Sequence, residues 1–503
     1  MFLNNIIKKN ITTHIFFNYY SIAFNVFWSI ILIPFFLEYI DIKTYGFWLA
    51  TGNVITLIAM FDPGISEVVR QKAGDLYGKK DNDTLIPLLW ASIILSIIFA
   101  IIIMIIGYIF SFFIFDIINV NDITLLPPLK TSYFIALFST CIMIVNFALN
   151  SFCIGIMSSL AQGLIFVISS LTSVFLIFYT LLNGYGIISI PLSLLSKSIF
   201  TFLLTLIYIY YRTNKEGFKN SFSINYLKEI LSASFTNFSG RLGLLIITNL
   251  DSIIVARFLG PQFVVSLSIM KKIFEFFKMI FERTFVSFLP SINLLNGQND
   301  FEKIKMLLNK IKPTLYLSLI FLITFTVIFN PLLITKWVGT NYYLNDFVNI
   351  LLGFSTTVLI LWFFMMNLLF TLGEIKYVSK INMIQSILTL IASIVGIYFF
   401  DIYGFIIFFT LSFIYSLLSL YSKLSVKYKL VERIKLKNLV HYLRLLAFMF
   451  FISLFYHKYC NAVNSWGLLI ILSSSFLAIF IIVAYFNYPK NQRINIYSLL
   501  KNN

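Results

Sequence analysis

The sequence predicts an all-α protein that crosses a membrane about fourteen times. Three observations carry this prediction: 59% of the 503 residues are hydrophobic, only 11% are charged, and the mean hydropathy is +0.92. A soluble domain with this balance would aggregate. The apolar runs are continuous and about twenty residues or longer, enough to cross roughly 30 Å of hydrocarbon, and they lack the alternation of a β-barrel.

The apolar runs divide into fourteen segments joined by short loops, none long enough for a separate soluble domain. The first follows Lys8 and Lys9 and is predicted to be a retained helix rather than a cleaved signal. The predicted spans are 15–37, 46–69, 87–115, 133–157, 160–182, 187–211, 234–259, 263–295, 315–338, 348–372, 378–400, 402–425, 439–459 and 466–488.

The distribution of positive charge predicts the orientation. With a cytoplasmic N-terminus, the inner segments carry 25 lysines and arginines and the outer segments carry five. Because cytoplasmic loops are enriched in these residues, both termini are predicted to be cytoplasmic. The net charge of +17 is therefore a topology signal, and a nucleic-acid partner is not expected.

Two short patterns recur about 220 residues apart. Asn-Gly-Tyr-Gly at 183–186 has its counterpart in Asp-Ile-Tyr-Gly at 401–404, and the turn around 36–48 has one at 258–261. The repeat predicts two pseudo-symmetric six-helix lobes plus two C-terminal helices. The predicted division is an N-lobe at 1–211, a cytoplasmic linker at 212–233, a C-lobe at 234–425 and the last two helices within 426–503. Parallel repeats of this kind place a site between the halves.

The eighth span carries a charged stripe. Lys271, Glu275, Lys278 and Glu282 follow the spacing i, i+4, i+7, i+11 and share one helix face, with Lys272 beside them. Each isolated charge at the centre of a membrane costs roughly 2.5–3.5 kcal/mol, so the stripe should not face lipid. It predicts one wall of a wet, net-positive cavity. The alternative is that the Lys–Glu pairs neutralise each other and join helices.

Three further charges fall within the sixth and seventh spans. Arg241 either faces the cavity or extends to the inner interface. Asp251 is either the structural partner of a lysine or a protonatable coupling group. Lys197 is either a second polar insert or pairs with Asp251 or a helix carbonyl.

Asp62, Pro63 and Gly64 interrupt the second span. Proline and glycine loosen helical hydrogen bonding, so the segment is a hinge candidate. The alternative is a helix end at the inner interface, capped by Asp62.

The three cysteines and three histidines show no metal-ligand, disulfide or catalytic spacing. We interpret the cysteines as small apolar residues. No metal, cofactor or catalytic residue is expected.

The chain resembles the polysaccharide flippases of the multidrug/oligosaccharidyl-lipid/polysaccharide exporter superfamily. The resemblance is carried by Phe-Phe-Leu at 35–37 with Tyr-Gly-Phe-Trp at 45–48, by Asp-Pro-Gly-Ile at 62–65, and by Asp-Ser-Ile-Ile at 251–254 with Phe-Leu-Gly-Pro at 258–261. Two departures are Pro63, where leucine is common, and the outer turn with Asp41 and Lys43, where Gly-Pro is usual. The resemblance implies a two-lobed bundle whose central cavity is walled mainly by spans one, two, seven and eight.

The resemblance also implies a function. Such a protein would carry undecaprenyl-pyrophosphate-linked oligosaccharides from the inner to the outer leaflet of the bacterial cytoplasmic membrane by alternating access, for O-antigen, lipopolysaccharide or capsule-like polysaccharide biosynthesis. Its partners would be this lipid-linked substrate, membrane lipids and a polysaccharide polymerase or chain-length regulator. The cations expected to contact the pyrophosphate or anionic sugars are Arg241, Lys271, Lys272, Lys278 and Lys197. Asp251 or Glu275 would couple transport to protons or sodium.

Three alternative functions follow from the same sequence. A multidrug or cation antiporter of the same fold would favour acidic cavity residues, against which the lysine-rich eighth span argues. A membrane-bound polysaccharide polymerase or glycosyltransferase would need a large outer loop or an exposed acidic pair, and the sequence shows neither. A non-catalytic scaffold would have no need of charged residues in a cavity.

Overall fold

The computed structural model describes residues 2–59, 64–79, 81–216, 223–235, 247, 249–430, 442, 444–453 and 465–487. Within these ranges the protein is helical and contains no strand. The chain forms two compact units, Met1–Val265 and Ser266–Asn503. The predicted all-α class is confirmed, while the predicted lobe boundaries remain a prediction.

The first unit is built from ten helices and the start of an eleventh, in the described part of the chain. They are α1 Phe2–Tyr39, α2 Ile42–Ala59, α3 Ile65–Gly78, α4 Asn82–Phe110, α5 Ile114–Ile117, α6 Leu126–Gly155, α7 Ser159–Leu182, α8 Ser189–Glu216, α9 Ile224–Phe235, α10 Asp251–Leu259 and α11 Pro261–Val286. Buried apolar residues of α3, α4, α6 and α9 form one continuous core.

The second unit continues from α11 with six helices in its described ranges. They are α12 Leu289–Gly297, α13 Phe301–Trp337, α14 Asp346–Thr371, α15 Ile375–Ser422, α16 Arg444–Ser453 and α17 Trp466–Asn487. Side-chain caps fix two starts: Asp300 accepts the backbone N–H of Lys303 before α13, and Asn345 accepts that of Val348 before α14. The C-terminal helices α16 and α17 pack on α13 through a cluster that includes Phe329 and Phe476.

Nine helical segments of the described residues are long and apolar enough to cross a membrane. They are Tyr19–Tyr39, Asp83–Phe110, Leu126–Gly155, Ser159–Leu182, Gly186–Glu216, Phe301–Trp337, Asp346–Thr371, Ile375–Lys427 and Trp466–Asn487. The charged helix α11 is not among them. The protein is therefore a multipass membrane protein, and α11 is a long helix that departs from the apolar pattern.

The segment Ile375–Lys427 holds two predicted spans, and the predicted turn at Asp401 is confirmed. Phe400 and Asp401 leave the helical conformation, with φ/ψ of −139°/25° and 51°/−140°. The chain folds back there, since a Cβ on Gly396 would lie 2.3 Å from the carbonyl oxygen of Gly404. Only glycine at these two positions lets the arms approach so closely.

The second predicted span differs from the structure. The sequence predicts one helix at 46–69, whereas Gly64 separates α2, Ile42–Ala59, from α3, Ile65–Gly78. Gly64 precedes α3 with φ 95° and ψ 30°, a left-handed conformation that a continuing helix cannot contain. The inner faces of α3 and α6 meet in the core, so α3 is a packed amphipathic helix and not the end of a span.

Candidate functional site

The aromatic face of α11 is packed inside its unit. Phe274 is only 2% exposed. The ring of Phe277 lies 5.8 Å from that of Phe321 and 5.6 Å from that of Phe325, both on α13. The orientation of α11 is therefore fixed by ring contacts, and Lys271, Lys278 and Glu282 lie on the helix side that adjoins the packed phenylalanines.

The charged face of α11 is partly exposed and forms two ion pairs. Lys272 Nζ lies 3.1 Å from Glu275 Oε2, with side chains 37% and 57% exposed. Lys278 Nζ lies 3.7 Å from Glu282 Oε1, with side chains 28% and 27% exposed. Both pairs lie within α11, so neither joins it to another helix. The predicted stripe is present, and the two pairs do not act as interhelical contacts.

Lys271 sits beside a buried amide network that the sequence reasoning missed. The side chain of Asn330 donates to the carbonyl of Met270 at 3.1 Å and to Asn349 Oδ1 at 2.7 Å. Asn349 in turn donates to the carbonyl of Thr326 at 2.9 Å. The network ties α11, α13 and α14 together, and it holds the turn from which Lys271 extends to within 6.0 Å of the Phe405 ring centroid.

Lys197 occupies a similar position in the first unit. Its Nζ lies 4.8 Å from the ring centroid of Phe166, and it forms no ion pair with a carboxylate of the described chain. The adjacent carbonyl of Ser198 accepts a hydrogen bond from the buried side chain of Asn146 at 2.8 Å. The expected pairing of Lys197 with Asp251 is not formed. A cation–π contact covers the ammonium group instead, contributing about 0.5–2 kcal/mol.

Asp251 lies at the start of α10, although the sequence predicts one helix through 234–259. The backbone bends at Leu250. The Asp251 carboxylate then accepts the backbone N–H of Ser252 at 2.7 Å and its hydroxyl at 3.3 Å. A carboxylate is favoured at a helix N-terminus because the free N–H groups there carry partial positive charge.

The described candidate residues are divided between the two units. Lys271, Lys272, Glu275 and Lys278 lie together on α11 in the second unit, while Lys197 and Asp251 belong to the first. Gly64 lies at the start of α3, and Arg241, Asp62 and Pro63 fall outside the described residues.

Asn146, Asn330 and Asn349 could have been found as amide residues inside apolar runs, where an unpaired polar group is costly. In the described chain no cluster of three or more histidine, cysteine or acidic residues could hold a metal ion. Cys141 and Cys153 are buried free thiols.

Comparison with known proteins supports the family resemblance. Residues 79–282 match the family model described as polysaccharide biosynthesis protein. No curated protein matches the sequence significantly. The predicted resemblance to a polysaccharide-biosynthesis family is confirmed by this family model over residues 79–282.

Three solved structures share the fold. An inward-facing multidrug-resistance MATE transporter of the MOP superfamily has a TM-score of 0.67 at 13% identity, covering 79% of this chain and 93% of that one. The lipid II flippase MurJ, in an inward closed conformation, has a TM-score of 0.59 at 17% identity. The match covers 93% of this chain and 99% of that one. A MOP-superfamily transporter from Pyrococcus furiosus has a TM-score of 0.55 at 13% identity, and the match covers 80% of this chain and 94% of that one. In that protein, reverse polarity of the binding pocket suggests a different function. At these identities the likeness establishes the fold.

Proposed function

We propose that the chain is a flippase that carries undecaprenyl-pyrophosphate-linked oligosaccharides from the cytoplasmic to the outer leaflet of the bacterial inner membrane, for surface polysaccharide biosynthesis. One observation carries the proposal: α11 packs through Phe274 and Phe277 and leaves a partly exposed face that holds Lys272, Glu275, Lys278 and Glu282. Such a face is too costly to expose to lipid and suits a water-filled passage. The match to a polysaccharide biosynthesis model and the fold of a lipid II flippase support the same reading.

The cations are suited to a diphosphate. A diphosphate that leaves bulk water needs charge-assisted hydrogen bonds, which ammonium and guanidinium groups supply. We assign this role to Lys197, Lys271, Lys272, Lys278 and Arg241. A partly exposed Lys–Glu pair contributes only about 0–1 kcal/mol. An incoming diphosphate can therefore draw Lys272 or Lys278 from its carboxylate at little cost.

Coupling and motion extend the proposal. Asp251 and Glu275 are the candidates for coupling transport to protons or sodium, because each is a carboxylate within a predicted span. The Asp62, Pro63 and Gly64 segment is the proposed hinge for alternating access, at the break between α2 and α3. A polysaccharide polymerase or chain-length regulator is the proposed protein partner.

Reconstituted flipping tests the proposal. Proteoliposomes would receive undecaprenyl-diphosphate N-acetylglucosamine in one leaflet, and its arrival in the other would be followed with a membrane-impermeant galactosyltransferase. We expect wild-type protein to accelerate transfer, and the triple variant Lys197→Gln, Lys271→Gln, Lys272→Gln to abolish it. Lys376→Gln removes an exposed cation outside the proposed site and is the matched control. Undiminished flipping by the triple variant would reject the role of these lysines.

The same vesicles separate the flippase from the antiporter. The MATE fold is shared with multidrug transporters, so fold alone does not choose between the two activities. A net-positive passage repels cationic drugs. We expect no accumulation of ethidium driven by a proton or sodium gradient. Gradient-driven ethidium transport without lipid flipping would favour the antiporter.

A further inference from the structure

A polar cavity of about 380 Å³ lies in the first unit. The start of α2, the loop after α5 and the α10–α11 turn form its walls. Its volume falls within the range of roughly 300–1,000 Å³ typical of small-molecule sites. The hydrogen-bonding groups in its lining are Lys43, Asn119, Asn121, Asp122, Arg257 and Gln262. Positive-inside topology predicts that these loops lie on the outer side.

Two contacts fix the shape of this cavity. A Cβ on Gly46 would lie only 2.0 Å from the carbonyl oxygen of Pro261, so the α10–α11 turn packs directly on the backbone of α2. Gly260 makes that turn with φ 91° and ψ 167°, a conformation essentially restricted to glycine. Arg257 Nη1 donates to the carbonyl of Asp116 at 2.9 Å, joining α10 to α5. The cavity is thus a built feature and not a gap between loose loops.

Among the described residues, most polar side chains of the lining have no hydrogen-bond or ion-pair partner. The side-chain amides of Asn119, Asn121 and Gln262 form no hydrogen bond with the described chain, and Lys43 forms no ion pair there. The Asp122 carboxylate, by contrast, is occupied. It accepts the backbone N–H of Thr124 at 3.0 Å and its hydroxyl at 2.6 Å, and these bonds, with Lys43 nearby, lower the pKa of Asp122. The cavity therefore offers two cations and three amides, while its carboxylate is already satisfied.

This combination matches a phosphorylated saccharide. Lys43 and Arg257 would bind a phosphate group, and the free amides would bind sugar hydroxyls. Phe258 and Phe263, 43% and 39% exposed, offer apolar surface to the ring C–H groups of a sugar. We propose that this outer pocket binds the sugar-phosphate headgroup of the lipid-linked saccharide after transfer. The identification of this ligand as the transported substrate rests on the proposed flippase function.

Thiol protection tests the pocket directly and does not require transport. In full-length protein with Cys460→Ser, the substitution Leu125→Cys places a thiol in the cavity lining without removing a proposed ligand-binding side chain, while the native Cys141 and Cys153 are buried. Its maleimide labelling would be measured in phosphatidylcholine nanodiscs with N-acetylglucosamine 1-phosphate, N-acetylglucosamine or inorganic phosphate. We expect the sugar phosphate to protect at lower concentration than either part alone. Lys43→Gln or Arg257→Gln should raise its half-protecting concentration about tenfold. Lys130→Gln, an exposed cation outside the lining, should leave it unchanged.

Three outcomes overturn the proposal. One is equal protection by the sugar phosphate in wild-type and Lys43→Gln protein. Lys43 makes no bond that folding needs, so the Lys43→Gln variant still tests the pocket if Arg257→Gln misfolds. Another is absence of protection by the sugar phosphate. The third is full protection in phosphatidylglycerol nanodiscs without added ligand, which assigns the pocket to a membrane lipid headgroup. Protection in a protein that does not flip lipid would leave the pocket standing and reject only the proposed function.

Discussion

The side-chain amide of Asn330 donates to the carbonyl oxygen of Met270 at 3.1 Å, one residue before Lys271. Asn146 does the same for the carbonyl of Ser198, one residue after Lys197. In both units a buried asparagine of a neighbouring helix therefore fixes the turn that carries a proposed substrate lysine. Each bond sets the position of a lysine without touching its ammonium group.

Replacing Asn330 by alanine should weaken both stability and transport. Hydrogen bonds between membrane helices contribute about 0.6 kcal/mol on average and up to about 1.7. We expect a loss in this range, measured by unfolding in mixed micelles, together with slower flipping. Asn367→Ala is the control, because Asn367 donates to Phe363 within its own helix α14. An equal loss in both variants would show that the interhelical bond has no special role.

Reversing the Lys272–Glu275 pair should separate structure from function. The double variant Lys272→Glu, Glu275→Lys keeps an i, i+3 pair but moves the cation. We expect the melting temperature in detergent to stay within a few degrees, since an exposed pair contributes about 1 kcal/mol or less, and flipping to be lost. The matched reversal Lys79→Asp, Asp75→Lys exchanges another exposed helical pair and should affect neither. Retained flipping after the Lys272–Glu275 reversal would assign the pair a structural role.

Lys197→Met should not destabilise the protein. Burying an ammonium group in a membrane costs about 2.5–3.5 kcal/mol, while the contact with Phe166 returns about 2 kcal/mol at most. Removing the charge should therefore leave stability equal or slightly higher, and we expect flipping to fall strongly. Lys197→Arg keeps the charge and should retain most of the activity. A clear drop in the melting temperature of Lys197→Met would indicate that Lys197 serves the fold.

Glu374 should govern an acid-dependent step in stability. Its carboxylate accepts from Lys427 and from Tyr428, the latter at 2.8 Å, and lies 3.5 Å from Lys423. These contacts, led by the Lys427 hydrogen bond, lower the pKa of Glu374. Its contribution is therefore complete above the unfolded pKa of about 4.3 and is lost as pH falls through the lower folded value.

The test is a pH series of melting temperatures. Glu374→Gln should lower stability at pH 7 and reduce the loss between pH 5 and pH 3, estimated to span the carboxyl titration. Glu302→Gln, at an exposed carboxylate near the start of α13, should leave the profile as in wild type. An unchanged acid profile in Glu374→Gln would contradict the assigned linkage.

Asp401→Gly should stabilise the α15 hairpin. Asp401 has φ 51° and ψ −140°, a conformation that glycine adopts freely and other residues adopt at a cost of about 1–3 kcal/mol. Its side chain is exposed and makes no hydrogen bond in the described structure. We expect a melting temperature a few degrees higher. Asp401→Ala removes the same side chain but keeps the strain, so it should show no gain.

Local patterns predicted much of this fold. The positions of most spans and the turn at Asp401 follow from apolar runs and a recurring Tyr-Gly pattern. The shared face of Lys278 and Glu282 follows from helical spacing alone. These features are local, because they depend on residues within a few turns of one another.

Contacts between residues far apart in the chain could not be predicted from the sequence. Asn330 is an evident polar residue in an apolar run, yet its partner is a backbone carbonyl selected by how α11 and α13 pack. The bend at Leu250 divides a predicted span at a point without proline or glycine, whereas the break at Gly64 coincides with the Asp62, Pro63 and Gly64 interruption of the second span. Gly46 and Pro261 were both noted in motifs, but nothing in their spacing indicates that they touch.

The contact of Gly46 with Pro261 determines how the outer pocket can open. The carbonyl of Pro261 contacts the backbone of α2 at Gly46 directly. Because this contact leaves no room for sliding, α2 and the α10–α11 turn must move together. The remaining wall is the 119–122 loop, whose neighbouring helix α5 is joined to α10 through Arg257 and Asp116. Movement of that loop would therefore control the rates at which a ligand enters and leaves the pocket. Ligand exchange rates measured at the rim would report on this movement, while the opposite wall stays still.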